Sequence, residues 1–170
     1  HVPTSDTDSP TTSINQMVWG LRGGDGATVA FVGERLYVSD YNANRILGFN
    51  SIPSSEMTRP DFVIGAPDLN TNTFADNYFV TNGSPASNGN SLVLGDGYDR
   101  RLNCWSTIPT ASATPPTSVL SETGVHSAAA HGDTFLAVGV QTGLSVWDSA
   151  PCDGREADRL YRDRVGSIAL

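Results

Sequence analysis

The sequence has 170 residues, 38% of them hydrophobic, and a formal net charge of −8; a chain of this length removes roughly two-thirds of its unfolded surface from water and forms a core without disulfides. Its ten basic residues are spread along the chain instead of forming a basic patch, which argues against nucleic acid and an anionic membrane surface as partners. No apolar run approaches the ~20 residues of a membrane-spanning helix, so we expect no membrane insertion.

The N-terminal part of the chain differs from the rest in its content of apolar and turn-forming residues. Residues 1–16 contain almost no apolar anchor and many turn-forming residues, so we expect an extended lead-in there and a folded domain over residues 17–170. The first repeat unit, residues 27–65, shows short apolar runs separated by turn residues, a pattern typical of strands. The four strands predicted in this unit are Ala27–Val32, Arg35–Ser39, Arg45–Ser51 and Phe62–Gly65.

An internal repeat indicates the architecture more firmly than any single strand. The segment Glu34–Pro53 recurs without a gap 56 residues later as Asn90–Pro109, and a third, more divergent copy ends at Pro151. All three copies carry an aromatic residue at one position, which is Phe49, Trp105 or Trp147. The first two copies also share an aspartate and an arginine, which are Asp40 and Arg45 in one and Asp96 and Arg101 in the other.

The second and third units are predicted over residues 77–121 and 126–164. We interpret the polar stretch Asn70–Asn90 between the first two units as an inserted loop, with the inner strand of the second unit at Tyr78–Thr81. The other strands predicted in these units are Ser91–Gly95, Arg101–Ser106, Ser118–Leu120, Ser127–His131, Phe135–Val138, Leu144–Asp148 and Arg159–Tyr161.

Four short antiparallel strands, repeated along a chain, are typical of propeller blades. Neighbouring blades cover both faces of each sheet, so such strands need not alternate apolar with polar residues. The third strands fit this arrangement, because Ile46, Leu102 and Leu144 lie on one face. We expect the three repeated aromatic residues on the other face to fill the gaps between blades.

The segment LYVSDYNANRILGFNSIP, followed by PDFVIGAPDLNTNT, resembles the NHL repeat in its bacterial versions. The resemblance covers residues 34–73 most closely, continues over residues 90–120 and fades from residue 133 onward. It implies an all-β protein, a β-propeller built from four-stranded antiparallel blades, of which about three are present. In such a blade we expect Asp40 and Asn44 to bond to the backbone of the turn and Arg45 to pair with a nearby carboxylate.

Three blades form only part of a closed ring, and an open stack leaves sheet faces and edges bare. The expected partner is therefore a protein, either copies of this chain or another chain that supplies further blades.

Two cysteines, Cys104 and Cys152, could form a disulfide if the protein is exported. The alternative is a buried thiol at Cys104, which replaces Gly48 of the first repeat.

Metal-ligating residues are sparse. His126 and His131 are five residues apart beside an inner strand, a spacing that points them to opposite faces. Asp68 begins an oxygen-rich stretch that resembles a calcium loop without its glycine and distal glutamate. We expect no cofactor, with calcium or another metal at these residues as the alternative.

No local arrangement singles out a catalytic nucleophile, and we predict no catalytic residue. The leading hypothesis is an exported, extracellular or periplasmic module for protein binding or assembly, which uses its loops as the contact surface. One alternative is a part of a propeller enzyme, a lyase or hydrolase with a metal in the central channel. The other is a structural subunit of a surface or filament assembly.

Overall fold

The computed structural model describes residues 28–40, 45–55, 58–69, 84–96, 101–121, 125–139 and 143–162. These ranges contain strands and no helix, and therefore no helix long and apolar enough to cross a membrane. The strands are β1 (Val29–Val32), β2 (Arg35–Asp40), β3 (Arg45–Phe49), β4 (Phe62–Ile64), β5 (Ser84–Ser87), β6 (Leu92–Asp96), β7 (Arg101–Trp105), β8 (Ser118–Leu120), β9 (Val125–His131), β10 (Thr134–Gly139), β11 (Gly143–Trp147) and β12 (Arg159–Tyr161).

The strands form three four-stranded antiparallel sheets, and each sheet follows chain order: β1 to β4, β5 to β8 and β9 to β12. This is the meander of a propeller blade, repeated, and the fold is an all-β partial propeller of three blades. The described residues divide into two compact units. The first unit holds the first sheet and the segment Pro109–Pro115, and the second unit holds the other two sheets.

The β1–β2 and β9–β10 hairpins have the same kind of turn. The loops Gly33–Glu34 and Gly132–Asp133 each have two residues, and their glycines have φ angles of +61° and +56°. A positive φ at the first loop position is a feature of the type II′ turn, whose twist matches that of the flanking strands.

The inner strand of the second sheet is the place where the sequence prediction was wrong. It is Ser84–Ser87, inside the stretch Asn70–Asn90 that we interpreted as an inserted loop. The sequence Ser-Pro-Ala-Ser has no strong strand former, but β5 is an edge strand, where proline is tolerated because one side needs no ladder bonds. Pairing with the apolar β6 (Ser87 opposite Leu92) therefore determines its structure. The predicted strand Tyr78–Thr81 lies outside the described residues, as does the lead-in, residues 1–16.

One hydrophobic cluster of the first unit lies on one face of its sheet and includes the predicted aromatic position. Phe49 and Leu47 on β3 are buried with Val38 on β2 and Val63 on β4. The segment Pro109–Pro115 closes the outer edge of this sheet. There the N–H of Val63 donates to Ser112 Oγ (3.1 Å), and its carbonyl accepts from the N–H of Ala113 (3.1 Å). The first sheet therefore has its outer backbone groups satisfied at this residue.

The same segment also receives a side chain from the first sheet. The Tyr37 hydroxyl donates to the carbonyl of Pro109 at 2.8 Å. Burial raises the pKa of the Tyr37 phenol, and the positive charge of Arg35 opposes this with a smaller effect. Buried tyrosine hydroxyls need such a partner, because an unbonded hydroxyl is costly away from water.

The core of the second unit is shared between its two sheets. Leu102 and Cys104 on β7 pack in one cluster with Phe135 on β10 and Trp147 on β11. Trp147 therefore lies between two blades, as the sequence pattern indicated. Trp105, the third of the predicted aromatic residues, is also buried.

Candidate protein interface

The charged residues of the first repeat form a buried ion pair. Arg45 Nε donates to Asp40 Oδ2 at 2.8 Å, and Arg45 Nη1 donates to the carbonyl of Leu69 at 2.6 Å. Both charged side chains are almost wholly buried, with 1% and 4% of their surfaces exposed. The pair ties the β2–β3 hairpin to the segment after β4 and is closed to a ligand. Asn44 lies outside the described residues.

The equivalent position differs in the other two sheets. In the second sheet the backbone pairs Asp96 with Arg101, in the same register as Asp40 with Arg45. In the third sheet the corresponding partners are Gly139 and Gly143. Gly143 has a φ of +85°, and a Cβ atom there would collide with the carbonyl of Tyr161. At this position the third sheet therefore has two glycines in place of the ion pair, and the backbone of β12 lies close against Gly143.

All three sheets share a hydrogen bond that sequence reasoning missed. The residue just before the fourth strand accepts, through its side-chain oxygen, the N–H of the residue that follows the repeated aromatic. The pairs are Asn50 to Asp61 (2.7 Å), Ser106 to Thr117 (3.0 Å) and Asp148 to Asp158 (2.8 Å). The sequence feature that could have predicted this bond is an Asp or Thr residue just before the fourth strand of every repeat. These bonds fix the path of the chain as it leaves each third strand.

The two cysteines form a disulfide. Cys104 lies on β7, Cys152 lies in the turn after β11, and their Cα atoms are 5.0 Å apart. The bond lies in the core cluster between the second and third sheets. Beside it, Ser118 Oγ donates to the carbonyl of Pro151 at 2.9 Å. The cysteines thus link two blades, and neither is a free thiol.

The predicted metal ligands are not brought together in the part of the chain that the structure describes. His131 is exposed at the end of β9, and Asp68 is exposed after β4. His126 belongs to β9, but its side chain lies outside the description. Among the described residues, no three His, Cys, Asp or Glu side chains are grouped so that they could hold a metal ion. The geometry therefore gives no reason to assign a metal centre to these residues.

An apolar surface stands out on the first sheet. Val29 and Phe31 alternate along β1 and are 52% and 58% exposed, whereas the residue between them, Ala30, is buried. Ile52, in the connection after β3, is 61% exposed. We call Val29, Phe31 and Ile52 the entry face. Single exposed apolar residues are ordinary, but two alternating large ones on one face of an edge strand are a candidate interface.

The third sheet shows what these positions do in a covered blade. By strand register and by position relative to the repeated Pro, the counterparts of the entry face are Ala128, Ala130 and Ala150. All three alanines pack against the core cluster that the second and third sheets share. The entry face therefore occupies positions that, within this protein, serve for packing one blade against another.

The chain matches no protein-family model and no curated protein sequence. Among solved structures it is similar to a chain of an active polycomb repressive complex 2 in the basal state, with 19% identity and a TM-score of 0.48. It is similar to the same degree to a chain of a humanized mutant of the Chaetomium thermophilum complex bound to the inhibitor GSK126. The match covers 74% of this chain and only 28% of each of those chains. A likeness of this level carries no argument about function.

Proposed function

We propose that this chain is an exported β-propeller module of the NHL-repeat kind, which binds protein and completes its ring with another chain or with further blades. The observation that carries the proposal is the entry face, Val29, Phe31 and Ile52, whose counterparts in the third sheet are packed against a neighbouring blade. Partner binding would cover these three side chains, as the neighbouring blade covers their counterparts in the third sheet.

The physical gain lies in apolar burial. Full burial of one large apolar side chain is worth roughly 1.5–3 kcal/mol, and the three entry-face residues are each more than half exposed. Aromatic anchors such as Phe31 are enriched at the centres of protein interfaces. The expected partner is therefore a protein surface with apolar side chains, and not a charged or small polar ligand.

The chemistry-bearing residues of the repeats support binding over catalysis. Asp40 and Arg45 bind each other in a buried ion pair, and Cys104 and Cys152 form a disulfide. Each of these groups holds blades or hairpins in place. What the first sheet presents to solvent at the entry face is apolar surface, which suits recognition.

Export is supported by the disulfide. Disulfides form and persist in oxidising compartments and are rare in the cytosol. The Cys104–Cys152 bond joins two blades across a core cluster, where it contributes to the packing of the second unit. An extracellular or periplasmic location is therefore part of the proposal.

The test is the composition of the native complex. The protein is isolated under gentle conditions from the cells that make it, and native mass spectrometry then gives the mass of the complex and of every chain in it. We expect a complex heavier than the 18.0 kDa chain. The variant Val29→Ser/Phe31→Ser/Ile52→Ser is expected to lose the partner, because it removes the apolar area without touching the buried core.

A matched control is Val119→Ser/Leu160→Ser, which removes exposed apolar side chains from the outer strands of the second and third sheets. This control should keep the complex. A chain that stays at its own mass under all conditions, or a complex that survives the entry-face variant, would contradict the proposed function.

A further inference from the structure

The outer strands of the first two sheets hold equivalent central residues that differ in exposure. By strand register these residues are Val63 in β4 and Val119 in β8. Val63 is wholly buried, whereas Val119 is 37% exposed. The second sheet is followed in the chain by another sheet, so the connection expected to cover β8 is itself part of the described structure.

In the first sheet the outer strand is capped by the connection between β7 and β8. The N–H of Val63 donates to Ser112 Oγ, and the carbonyl of Val63 accepts from the N–H of Ala113. Ala113 has a φ of +58°, a left-handed conformation that alanine adopts at a cost and that does not continue a strand. We call Ser112–Ala113 the edge cap, because it holds the strand edge by two bonds at one residue.

The corresponding backbone groups of Val119 point away from their sheet. β8 pairs with β7 in the register in which β4 pairs with β3. Both outer strands also begin alike, because the N–H of the preceding residue donates to the third strand, from Asp61 (2.8 Å) and from Thr117 (2.7 Å). Since the direction of these groups follows the register in an antiparallel pair, Val119 presents its N–H and carbonyl outward as Val63 does.

The connection between β11 and β12 does not give β8 such a cap. Counted from the repeated Pro, Gly154 and Arg155 stand where the edge cap stands. Gly154 has no side-chain oxygen, and its N–H donates to the carbonyl of Pro151 (3.1 Å). The N–H of Arg155 donates to Asp153 Oδ1 (3.2 Å). Among the described residues, none bonds to the outward N–H or carbonyl of Val119.

We propose that the outer edge of β8 at Val119 binds an extended segment of another protein by the two bonds that the edge cap makes to β4. A side-chain oxygen of the segment accepts from the N–H of Val119, and the next N–H of the segment donates to the carbonyl of Val119. Binding of an extended segment to a sheet edge draws its affinity from such main-chain bonds. This surface is separate from the entry face, so the inference goes beyond the proposed function and does not rest on it.

The edge cap also indicates the chemistry of the partner segment. The connection that contains it, Pro109–Pro115, has the sequence Pro-Thr-Ala-Ser-Ala-Thr-Pro and no charged side chain. The whole chain has a net charge of −8, which disfavours an acidic partner. The partner segment is therefore uncharged, with Ser or Thr followed by a small residue. Its affinity should change little with salt, because no ion pair joins the two sides.

The first measurement asks whether the edge is open in the full-length chain. Amide hydrogen exchange followed by NMR should be at least ~10-fold faster at Val119 than at Val63, because only the Val63 N–H has a partner outside its sheet. Equal protection of the two amides would show that the edge of β8 is already covered, and would overturn the proposal.

The second measurement titrates the ¹⁵N-labelled chain with the peptide Ile-Pro-Thr-Ala-Ser-Ala-Thr-Pro, the sequence of residues 108–115. We expect saturable shifts at the amides of β8, with a Kd on the order of 1 mM, because two bonds offset little more than the cost of ordering a peptide. A peptide with glycine in place of the second alanine should bind roughly 3-fold more tightly or better, since glycine adopts a positive φ freely. A peptide N-methylated at that alanine has no N–H to donate and should not bind.

The matched variants change the main chain or the side chain of Val119. Val119→Pro removes the outward N–H without removing a bond to β7, a change that an edge strand tolerates, and should weaken peptide binding at least ~10-fold. Val119→Ala leaves both main-chain groups in place and should bind the peptide about as well as the unchanged chain. Circular dichroism and the intact disulfide mass confirm that both variants fold.

Three results would overturn the proposal. They are shifts confined to other strands, binding that survives N-methylation or Val119→Pro, and no saturable shift at peptide concentrations up to about 10 mM. None of them affects the proposed function, which depends on Val29, Phe31 and Ile52.

Discussion

The first and third sheets have the same topology and secure it by different chemistry. The first sheet closes its β2–β3 hairpin with a buried ion pair, Arg45 to Asp40, which is bonded onward to Leu69. The third sheet has two glycines at the equivalent paired positions, Gly139 and Gly143. Strand order and register are the same in both sheets, so backbone pairing and the apolar pattern set them. The ion pair and the glycines are local differences between the sheets.

A second contrast lies one position before the repeated aromatic. In the first sheet Gly48 leaves room for the ring of Phe62, which lies directly over it. In the second sheet the same position is Cys104, whose partner Cys152 comes from the third blade. The first blade fills this site from within its own sheet, whereas the second blade uses it to bond to its neighbour.

The largest expected effect comes from breaking the buried ion pair. Asp40→Ala leaves the Arg45 guanidinium buried without its carboxylate, and should lower the free energy of unfolding by as much as about 5 kcal/mol. The matched control is Asp148→Ala, which breaks the exposed pair with Arg159 and should change the free energy of unfolding far less, because water and salt screen an exposed pair. Urea unfolding followed by circular dichroism measures both. Equal losses for the two variants would show that the buried pair is not what secures the first hairpin.

Removal of the disulfide should be nearly as costly. The bond closes a loop with a sequence separation of 48, which in the chain-entropy view corresponds to about 4 kcal/mol. The variant Cys104→Ala/Cys152→Ala should lose about that much in unfolding free energy, and hydrogen exchange should localise the loss to the second and third sheets. An unchanged unfolding midpoint would mean that apolar packing alone joins these blades.

Gly48→Ala should destabilise the first sheet by about 1–3 kcal/mol, because the added methyl group collides with the Phe62 ring. The double variant Gly48→Ala/Phe62→Ser imitates the smaller pair found in the second sheet and should relieve the collision. A double-mutant cycle of unfolding free energies measures the coupling. Simple additivity of the two changes would contradict the proposed contact.

The hydrogen bond common to the three sheets should contribute similarly in each. Asp61→Ala, Thr117→Ala and Asp158→Ala remove one acceptor apiece and should each cost about 1 kcal/mol. Thermal unfolding of the three single variants gives the comparison. A large effect in one sheet and none in the others would show that this bond is not a shared element of the blade.

The smallest expected effect is on the free energy of unfolding at alkaline pH. Burial raises the pKa of Tyr37 above its ordinary value near 10, so the folded chain keeps a proton that the unfolded chain loses. The stability contributed by the neutral phenol is complete below the unfolded pKa and is lost as the pH rises through the folded one. Tyr37→Phe should therefore show a shallower fall in urea midpoint between about pH 9 and about pH 11. Parallel curves for the two proteins would contradict this.

Most of the fold could be predicted from the sequence, because nearly all strands carry aliphatic and aromatic residues in a repeated order. The strand β5 could not, since Ser-Pro-Ala-Ser becomes a strand only by pairing with β6. The state of Cys104 and Cys152 was left open for a related reason: they occupy different positions in their repeats, and only sheet packing brings them together.

The candidate interface was less accessible to sequence reasoning. In the sequence Phe31 cannot be distinguished from a core residue of a strand, because its exposure depends on whether a neighbouring blade covers it. The sequence hypothesis placed recognition on the loops and the stretch Asn70–Asn90, whereas the geometry draws attention to a sheet face. The comparison of Val29, Phe31 and Ile52 with three packed alanines required the strand register of two sheets.

The most direct test of the proposed protein interface is a photo-crosslink from the entry face. Benzoylphenylalanine is placed at position 31, the native complex is irradiated, and the linked peptides are identified by mass spectrometry. The proposed interface predicts a link from position 31 to another polypeptide chain, because the partner covers Phe31. Links confined to single chains, or no link at protein concentrations where the chain is intact and folded, would contradict it.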